Sequence, residues 1–215
     1  MPYKVNDKNT LLYFIKECNR ISDFTSIENL DISELNDLSY VFHDCKNLKH
    51  LNLTKWDVSK VKNMYGMFKG CIFLESLDIS NWKVHNVKKM NSMFYNCFYL
   101  KKLDISKWNV SNVEDMRGMF ECCASLTYID VQTWNISNTG IISDMFKNCC
   151  NLQTLNLSNW RIENITSIDR LFCNCDTLKS LNLLNWDKTK ERYDGHEFDG
   201  ADKLNIIDTL LFTLD

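Results

Sequence analysis

Ten cysteines and four histidines are the residues of this chain that could bind a metal ion, form disulfides or act as nucleophiles. Zinc-binding cysteine pairs are usually separated by at least two residues, whereas Cys173-Asn174-Cys175 and the two adjacent cysteine pairs are closer together. The histidines occupy different positions of the repeating pattern described below, so they do not converge on one site. We therefore predict no metal site. The alternative is a site formed across neighbouring repeats by three extra cysteines: Cys122, Cys150 and Cys173.

Motifs of catalysis are missing from the sequence. It contains no Ser-His-Asp arrangement, no glycine-rich phosphate loop and no paired-carboxylate motif. We predict that the protein is not an enzyme, that it has no catalytic residue and that it requires no cofactor.

The overall charge and the distribution of apolar residues argue against nucleic-acid binding and membrane insertion. A formal net charge of −3 gives no basic surface for nucleic acid. Charged residues interrupt every apolar stretch, so no membrane insertion is expected. Residues 1–8 contain no continuous apolar run of the kind found in signal peptides, which predicts a cytoplasmic protein with reduced thiols.

Three residue types recur every 26 residues along nearly the whole chain. Phenylalanine stands at positions 42, 68, 94, 120, 146, 172 and 198, and cysteine follows three residues later from position 45 to 175. All six tryptophans share the same period, at positions 56, 82, 108, 134, 160 and 186. A fixed period of this length is typical of repeat proteins, in which each unit buries its apolar side against the next.

Two periodicities alternate within one repeat. Leu77 and Ile79 are two residues apart, which predicts a short strand with one buried face. Ser111 with Glu114 has the spacing of a helical capping box. The second half of the repeat then has the apolar spacing of a helix face: Val87, Met90, Phe94 and Cys97.

These patterns predict an α/β repeat solenoid. We expect a leucine-rich-repeat-like, right-handed stack of short parallel strands and short helices, with 26 residues per repeat and interior rows of Trp, Phe and Cys. Residues 1–24 are predicted to form an N-terminal capping helix. Residues 25–200 would form about seven repeats, the first and last degenerate, and residues 201–215 a C-terminal cap.

The repeat also resembles a known one. The string Leu-Asp-Ile-Ser-x-Trp-x-Val-Ser-x-Val-x-x-Met-x-x-Met-Phe-x-x-Cys resembles the 26-residue "surface protein" repeat of mycoplasma lipoproteins and bacterial cell-surface proteins. That family is related to the BspA-like leucine-rich repeats and also occurs in giant viruses and protists. The resemblance covers roughly residues 25 to 200. It implies a leucine-rich-repeat-like fold and roles in adhesion or protein interaction, and it carries no catalytic residues.

The side chains that alternate with the buried leucines of the predicted strands should face solvent and form the candidate site. The Asp/Asn members are so uniform in residue type that we expect a structural role, with hydrogen bonds to neighbouring turns and along the ladder. The variable members, above all Tyr128 beside Lys102, favour partner binding, because aromatic and cationic residues are frequent at interface hot spots. The candidate partner-binding residues are His50, Asn52, Asp78, Lys102, Asp104, Tyr128, Asp130, Gln132 and Asn156.

The sequence thus predicts a non-catalytic scaffold that binds a protein partner on the strand-side face. A glycan ligand stays an alternative to a protein. The scaffold is expected to be monomeric or weakly self-associating. The alternative function is an exported surface adhesin, or a virion or coat component of a parasite or giant virus.

Overall fold

The computed structural model describes residues 2–184, 186, 196–201 and 204–207. Most of the predicted degenerate last repeat and of the predicted C-terminal cap over residues 201–215 lies outside these ranges.

The chain begins with its α-helix, α1, Lys8–Ile21. Asp7 caps the first turn, because its carboxylate accepts the backbone N–H of Thr10 at 2.9 Å. Leu11, Ile15 and Cys18 form the buried face of the helix, against the start of the repeat stack. A short 3-10 turn, Thr25–Ile27, follows.

Short parallel strands stack with a step of 26 residues, except for the last pair, where the step is 25. Strand β1, His50–Asn52, pairs with β2, Ser76–Asp78. A second sheet contains β3, Thr154–Asn156, β4, Ser180–Asn182, and β5, Asn205–Ile207, in that order. In the coils between the two sheets the pairing is reduced to single bridges, Ser76 with Lys102 and Tyr128 with Thr154. The strands and bridges, which we call the strand ladder, thus form two parallel groups, one from His50 to Lys102 and one from Tyr128 to Asn205.

The second half of each repeat is not helical in the described residues, so the prediction of a short helix per repeat was wrong. Parallel bridges connect the coils there as well, at positions 37, 63, 89, 115, 141 and 167. Alternate backbone N–H groups donate to carbonyl oxygens of the next coil: Tyr40 bonds to Tyr65, and Phe42 to Met67, both at 2.9 Å. An α-helix would direct these N–H groups to its own carbonyls. We call this part of each coil the turn stack.

Backbone conformation explains why no helix forms. Each turn-stack segment from Tyr40 to Asn174 has two residues with positive φ four positions apart, such as Ser92 (φ 55°) and Asn96 (φ 58°). A residue in the left-handed region interrupts an α-helix. At the serine expected to cap a helix the backbone instead forms a turn, in which the Ser111 N–H donates to the Asn109 side chain at 3.2 Å.

Rows of identical side chains fill the space between the strand ladder and the turn stack. The indoles of Trp82, Trp108, Trp134 and Trp160 stack nearly parallel, with centroids 6.3 to 6.5 Å apart. The phenylalanines from Phe42 to Phe198 form a second row with spacings of 5.0 to 6.0 Å. These rows confirm the predicted interior ladders, and the described coils form a stack of leucine-rich-repeat type.

Candidate partner-binding face

The outward side chains of the strand ladder form two parallel rows, which we call the strand face. The register of the strands and bridges aligns the rows from His50 to Lys102 and from Tyr128 to Ser180, and the period of 26 residues relates the two groups. The first row is His50, Ser76, Lys102, Tyr128, Thr154 and Ser180. The second row is Asn52, Asp78, Asp104, Asp130, Asn156 and Asn182.

The second row closes a turn in every coil. The Asp104 carboxylate accepts the backbone N–H of Ser106 at 3.3 Å and its hydroxyl at 2.8 Å. Asp78 makes the same pair of bonds to Ser80. These bonds form Asx turns, in which an Asp or Asn oxygen accepts the N–H two residues further on. The uniform chemistry of this row is thus explained by its own turns, and bonds between neighbouring Asp or Asn side chains of the row are not needed.

The first row has no such common role. His50 Nδ1 lies 2.8 Å from Ser76 Oγ, while Tyr128 is 58% exposed. Lys102 and Tyr128 occupy successive positions of the row. Within the described chain, however, the cation placed over an aromatic ring is Lys69, 4.9 Å from the Tyr95 centroid on the turn stack. Apart from the contact between His50 and Ser76, the first row therefore presents exposed side chains whose chemistry changes from coil to coil.

Three shallow clefts follow the strand face. A cleft of about 730 Å³ lies at its N-terminal end, next to one of about 620 Å³, and both are lined by Thr25, Glu28 and His50. A smaller cleft of about 210 Å³ lies further along, beside Tyr128. All nine candidate residues line these clefts. The 620 Å³ cleft contains His50, Asn52, Asp78, Lys102 and Asp104, and the smallest contains Tyr128, Asp130, Gln132 and Asn156.

Sequence reasoning missed a group of exposed aromatics at the edge of the first cleft, among them Phe73 and Tyr99. The signal was available: the equivalent position holds Asn, Ser or Thr in the other coils, as at Asn47 and Ser125. Because other repeats carry small polar residues at this position, the repeat fold does not require an aromatic residue there.

The cysteines fall into two environments, and all ten are free thiols. The repeating row from Cys45 to Cys175 is buried, and burial raises the pKa of Cys45 to about 12. The extra cysteines, Cys122, Cys150 and Cys173, are partly exposed. Across the residues that the structure describes, no group of three or more His, Cys, Asp or Glu is arranged to hold a metal ion.

The turn stack carries an ionic cluster in its C-terminal half. Arg170 donates two hydrogen bonds to the Asp144 carboxylate, at 2.8 and 3.0 Å. Lys147 lies 3.2 Å from Glu121 and 3.3 Å from Asp144. Burial opposes ionisation of Asp144, but the hydrogen bonds and charges of Arg170 and Lys147 outweigh it and hold the pKa of Asp144 below its ordinary value. Burial raises the pKa of Glu121 despite the nearby ammonium group.

The described helices include none that combines the length and apolar character needed to cross a bilayer.

Comparison with known proteins identifies the repeat. A family model described as "Mycoplasma protein of unknown function, DUF285" matches residues 10–125 and again residues 99–208. This match confirms the resemblance indicated by the 26-residue period. No curated protein gives a significant sequence match.

Solved structures also align with this chain, among them a leucine-rich repeat protein and a chain of a protein complex. The T. pallidum leucine-rich repeat protein TpLRR is 17% identical, with a TM-score of 0.44 over 76% of this chain and 67% of that one. A chain of the Toll–Spatzle complex of Drosophila is 20% identical, with a TM-score of 0.41 over 86% of this chain. The alignment spans 24% of that chain.

Proposed function

Because the chain belongs to the family of Mycoplasma proteins of unknown function, DUF285, we propose its role from its surface: it is a non-catalytic scaffold that binds a protein partner on the strand face. The family description names no activity. The proposal therefore stands on the chemistry of the exposed rows.

One contrast carries the proposal. The buried rows repeat the same residue type in coil after coil, whereas the first row of the strand face changes from His50 to Lys102 to Tyr128. Packing cannot explain this variation, because these side chains face solvent. Exposed, varied side chains on a rigid repeat scaffold are suited to specific recognition of an extended partner surface.

The shape of the face supports a macromolecular partner. The clefts are open and follow the ladder for several coils, whereas small-molecule sites are usually enclosed. A protein surface or extended segment could contact more than one of these clefts at once.

A pull-down from host lysate, quantified by mass spectrometry, tests the function. We expect the double variant Tyr128→Ala/Lys102→Ala to lose a partner that the wild type retains. The matched control is Tyr13→Ala/Lys16→Ala on α1, which removes an exposed tyrosine and an exposed lysine away from the strand face. A partner retained equally by all three proteins would contradict the proposal.

We place the scaffold in the cytoplasm and expect a monomer. The ten free thiols support the location, since unpaired cysteines are typical of reducing compartments. Fractionation of host cells or particles separates this location from the alternative, an exported adhesin or coat component. Labelling of the protein on intact surfaces would favour that alternative.

A further inference from the structure

Three aromatic side chains stand exposed at the edge of the strand face. Phe73, Phe98 and Tyr99 are 45, 43 and 42% exposed. Phe73 stacks on Tyr99 with centroids 5.7 Å apart, and Phe98 meets Tyr99 edge-on at 5.1 Å. We call this group the aromatic shelf. Contiguous exposed apolar surface on a soluble protein marks an interaction site more often than isolated apolar residues do.

The cleft beside the shelf contains both lysines and carboxylates, and the carboxylates have hydrogen-bond partners within the described part of the protein whereas the lysine ammonium groups do not. The cleft is lined by Phe73 together with Lys46 and Lys49. Its two carboxylates are already bonded: Asp23 accepts from Thr25, and Glu28 accepts from the Asn52 N–H at 3.1 Å.

The two lysines are different, because in the described ranges neither ammonium group makes a hydrogen bond or ion pair. The nearby Lys101 ammonium, by contrast, is paired with Glu75 at 3.3 Å. The cleft thus contains two lysines and two carboxylates, and its two ammonium groups are the charged groups that lack a partner within the described chain.

We propose that the aromatic shelf and the adjoining cleft bind an acidic segment of a partner protein, with an apolar side chain packed on Phe73 and Tyr99 and carboxylates paired with Lys46 and Lys49. This inference rests on the proposed scaffold function and specifies the chemistry of its partner. Aromatic anchors supply much of the binding energy at protein interfaces, and complementary charge orients the encounter.

Shape favours a polypeptide over an anionic membrane. The shelf borders a concave cleft of about 730 Å³, which admits a chain segment, whereas a bilayer presents a broad surface.

The test selects ligands for the full chain from a random-peptide phage library and measures labelled synthetic copies by fluorescence anisotropy. Two variants probe the site: Lys46→Glu/Lys49→Glu, and Phe73→Ala/Tyr99→Ala. The matched control is Lys62→Glu/Lys83→Glu, which reverses two exposed lysines that do not line the cleft. Circular dichroism verifies that each variant is folded, and the lysine variants change only exposed side chains.

We expect the selected peptides to combine Asp or Glu with a large apolar residue and to bind less tightly at high salt. The lysine reversal should weaken binding about tenfold or more, and the control less than about twofold. The inference would be overturned by peptides without carboxylates, by an affinity that neither site variant changes, or by the selection of no peptide. Shelf-dependent binding to phosphatidylserine vesicles without peptide binding would also overturn it.

The two proposals can fail separately. Peptides whose binding depends on Tyr128 and Lys102, and not on the shelf, would leave the scaffold function standing and remove this inference. The loss of both peptide selection and pull-down partners would remove both.

Discussion

The thiol of Cys97 donates a 3.2 Å hydrogen bond to the carbonyl oxygen of Phe68, in the preceding coil. The same bond recurs at Cys71, Cys123, Cys149 and Cys175, each time to the phenylalanine 29 residues earlier. An apolar residue of similar size would fill the space but leave that carbonyl without this donor. The cysteine row is therefore a hydrogen-bonded part of the core, and its chemistry needs no metal or disulfide.

Thiol labelling of the folded protein should discriminate between the two kinds of cysteine. Burial raises the pKa of Cys97 and Cys149 well above the ordinary value, so almost no thiolate forms there. We expect iodoacetamide to modify Cys122, Cys150 and Cys173 first and the buried row only after denaturation, as measured by peptide mass spectrometry. Modification of Cys97 in folded protein at the rate of Cys122 would contradict the structure.

Truncation of a central tryptophan should cost more stability than truncation of its counterpart near the end of the stack. Trp108 is packed between Trp82 and Trp134 and is 3% exposed, so Trp108→Ala should lower the free energy of unfolding by about 3–5 kcal/mol. Leu30→Ala, in the first coil, should cost about 2 kcal/mol. Denaturant titration measures both, and equal losses would argue against a linear stack.

Two glycines should respond in opposite ways to alanine. Gly66 has φ +57°, and a Cβ there would lie 2.6 Å from a ring carbon of Tyr40. Gly66→Ala should therefore destabilise the fold by about 1–3 kcal/mol. A Cβ at Gly140 would meet its nearest atom at 3.8 Å, so Gly140→Ala should be neutral or stabilise by up to about 1 kcal/mol. Thermal unfolding compares the two variants, and similar shifts for both would be inconsistent with the turn stack.

The pair between Arg170 and Asp144 should contribute stability in a pH-dependent way. Because the pKa of Asp144 is lowered in the folded state, its contribution is complete above its ordinary value, near 3.8. The contribution is lost as the pH falls through the lowered value. Arg170 is half exposed, so Arg170→Ala should cost only about 0.5–1 kcal/mol at neutral pH.

The pH titration supplies the check on that pair. The stability difference between wild type and Arg170→Ala should shrink as the solution is acidified below pH 4. Arg161→Ala, at an exposed arginine, is the matched control and should show little loss at any pH. A difference that persisted in strong acid would mean that Arg170 acts through packing and not through its charge.

Two substitutions at Asp104 should show whether the side chains of the second row of the strand face stabilise their turns. Asp104→Asn keeps an oxygen that can accept the Ser106 N–H, so its stability should match the wild type. Asp104→Ala removes the acceptor and should cost about 0.5–1.5 kcal/mol in denaturant unfolding. Equal stability of the alanine variant would show that the turn does not depend on this side chain.

The sequence pattern was sufficient to predict the interior rows of side chains but not the backbone conformation of the turn stack. The period of 26 identified the Trp, Phe and Cys rows, because burial selects residue type directly. Val87, Met90, Phe94 and Cys97 have helical spacing, yet the same spacing suits two successive turns. The overlooked signal was the residue type at the positive-φ positions, where Gly, Asn and Asp recur because they tolerate the left-handed region.

The candidate face was predictable in outline only. Alternation around Leu51 and Leu77 identified which side chains point outward, and the structure places all nine candidates along the clefts. The aromatic shelf was not predicted, because Phe73 and Tyr99 lie outside the strand, where the two-residue alternation gives no information. The period of 26 residues does place them at equivalent positions of neighbouring coils, but it does not show that both side chains are exposed.

The uniform bonding between coils also makes the molecule modular. Each interior coil donates backbone, indole and thiol hydrogen bonds to its neighbours in a constant register. Excision of 26 consecutive residues from the middle would rejoin two compatible surfaces, while a deletion that is not a whole number of repeats would bring unlike residues into contact. The protein can therefore gain or lose exposed strand-face surface one whole coil at a time, leaving the rest of its interior unchanged.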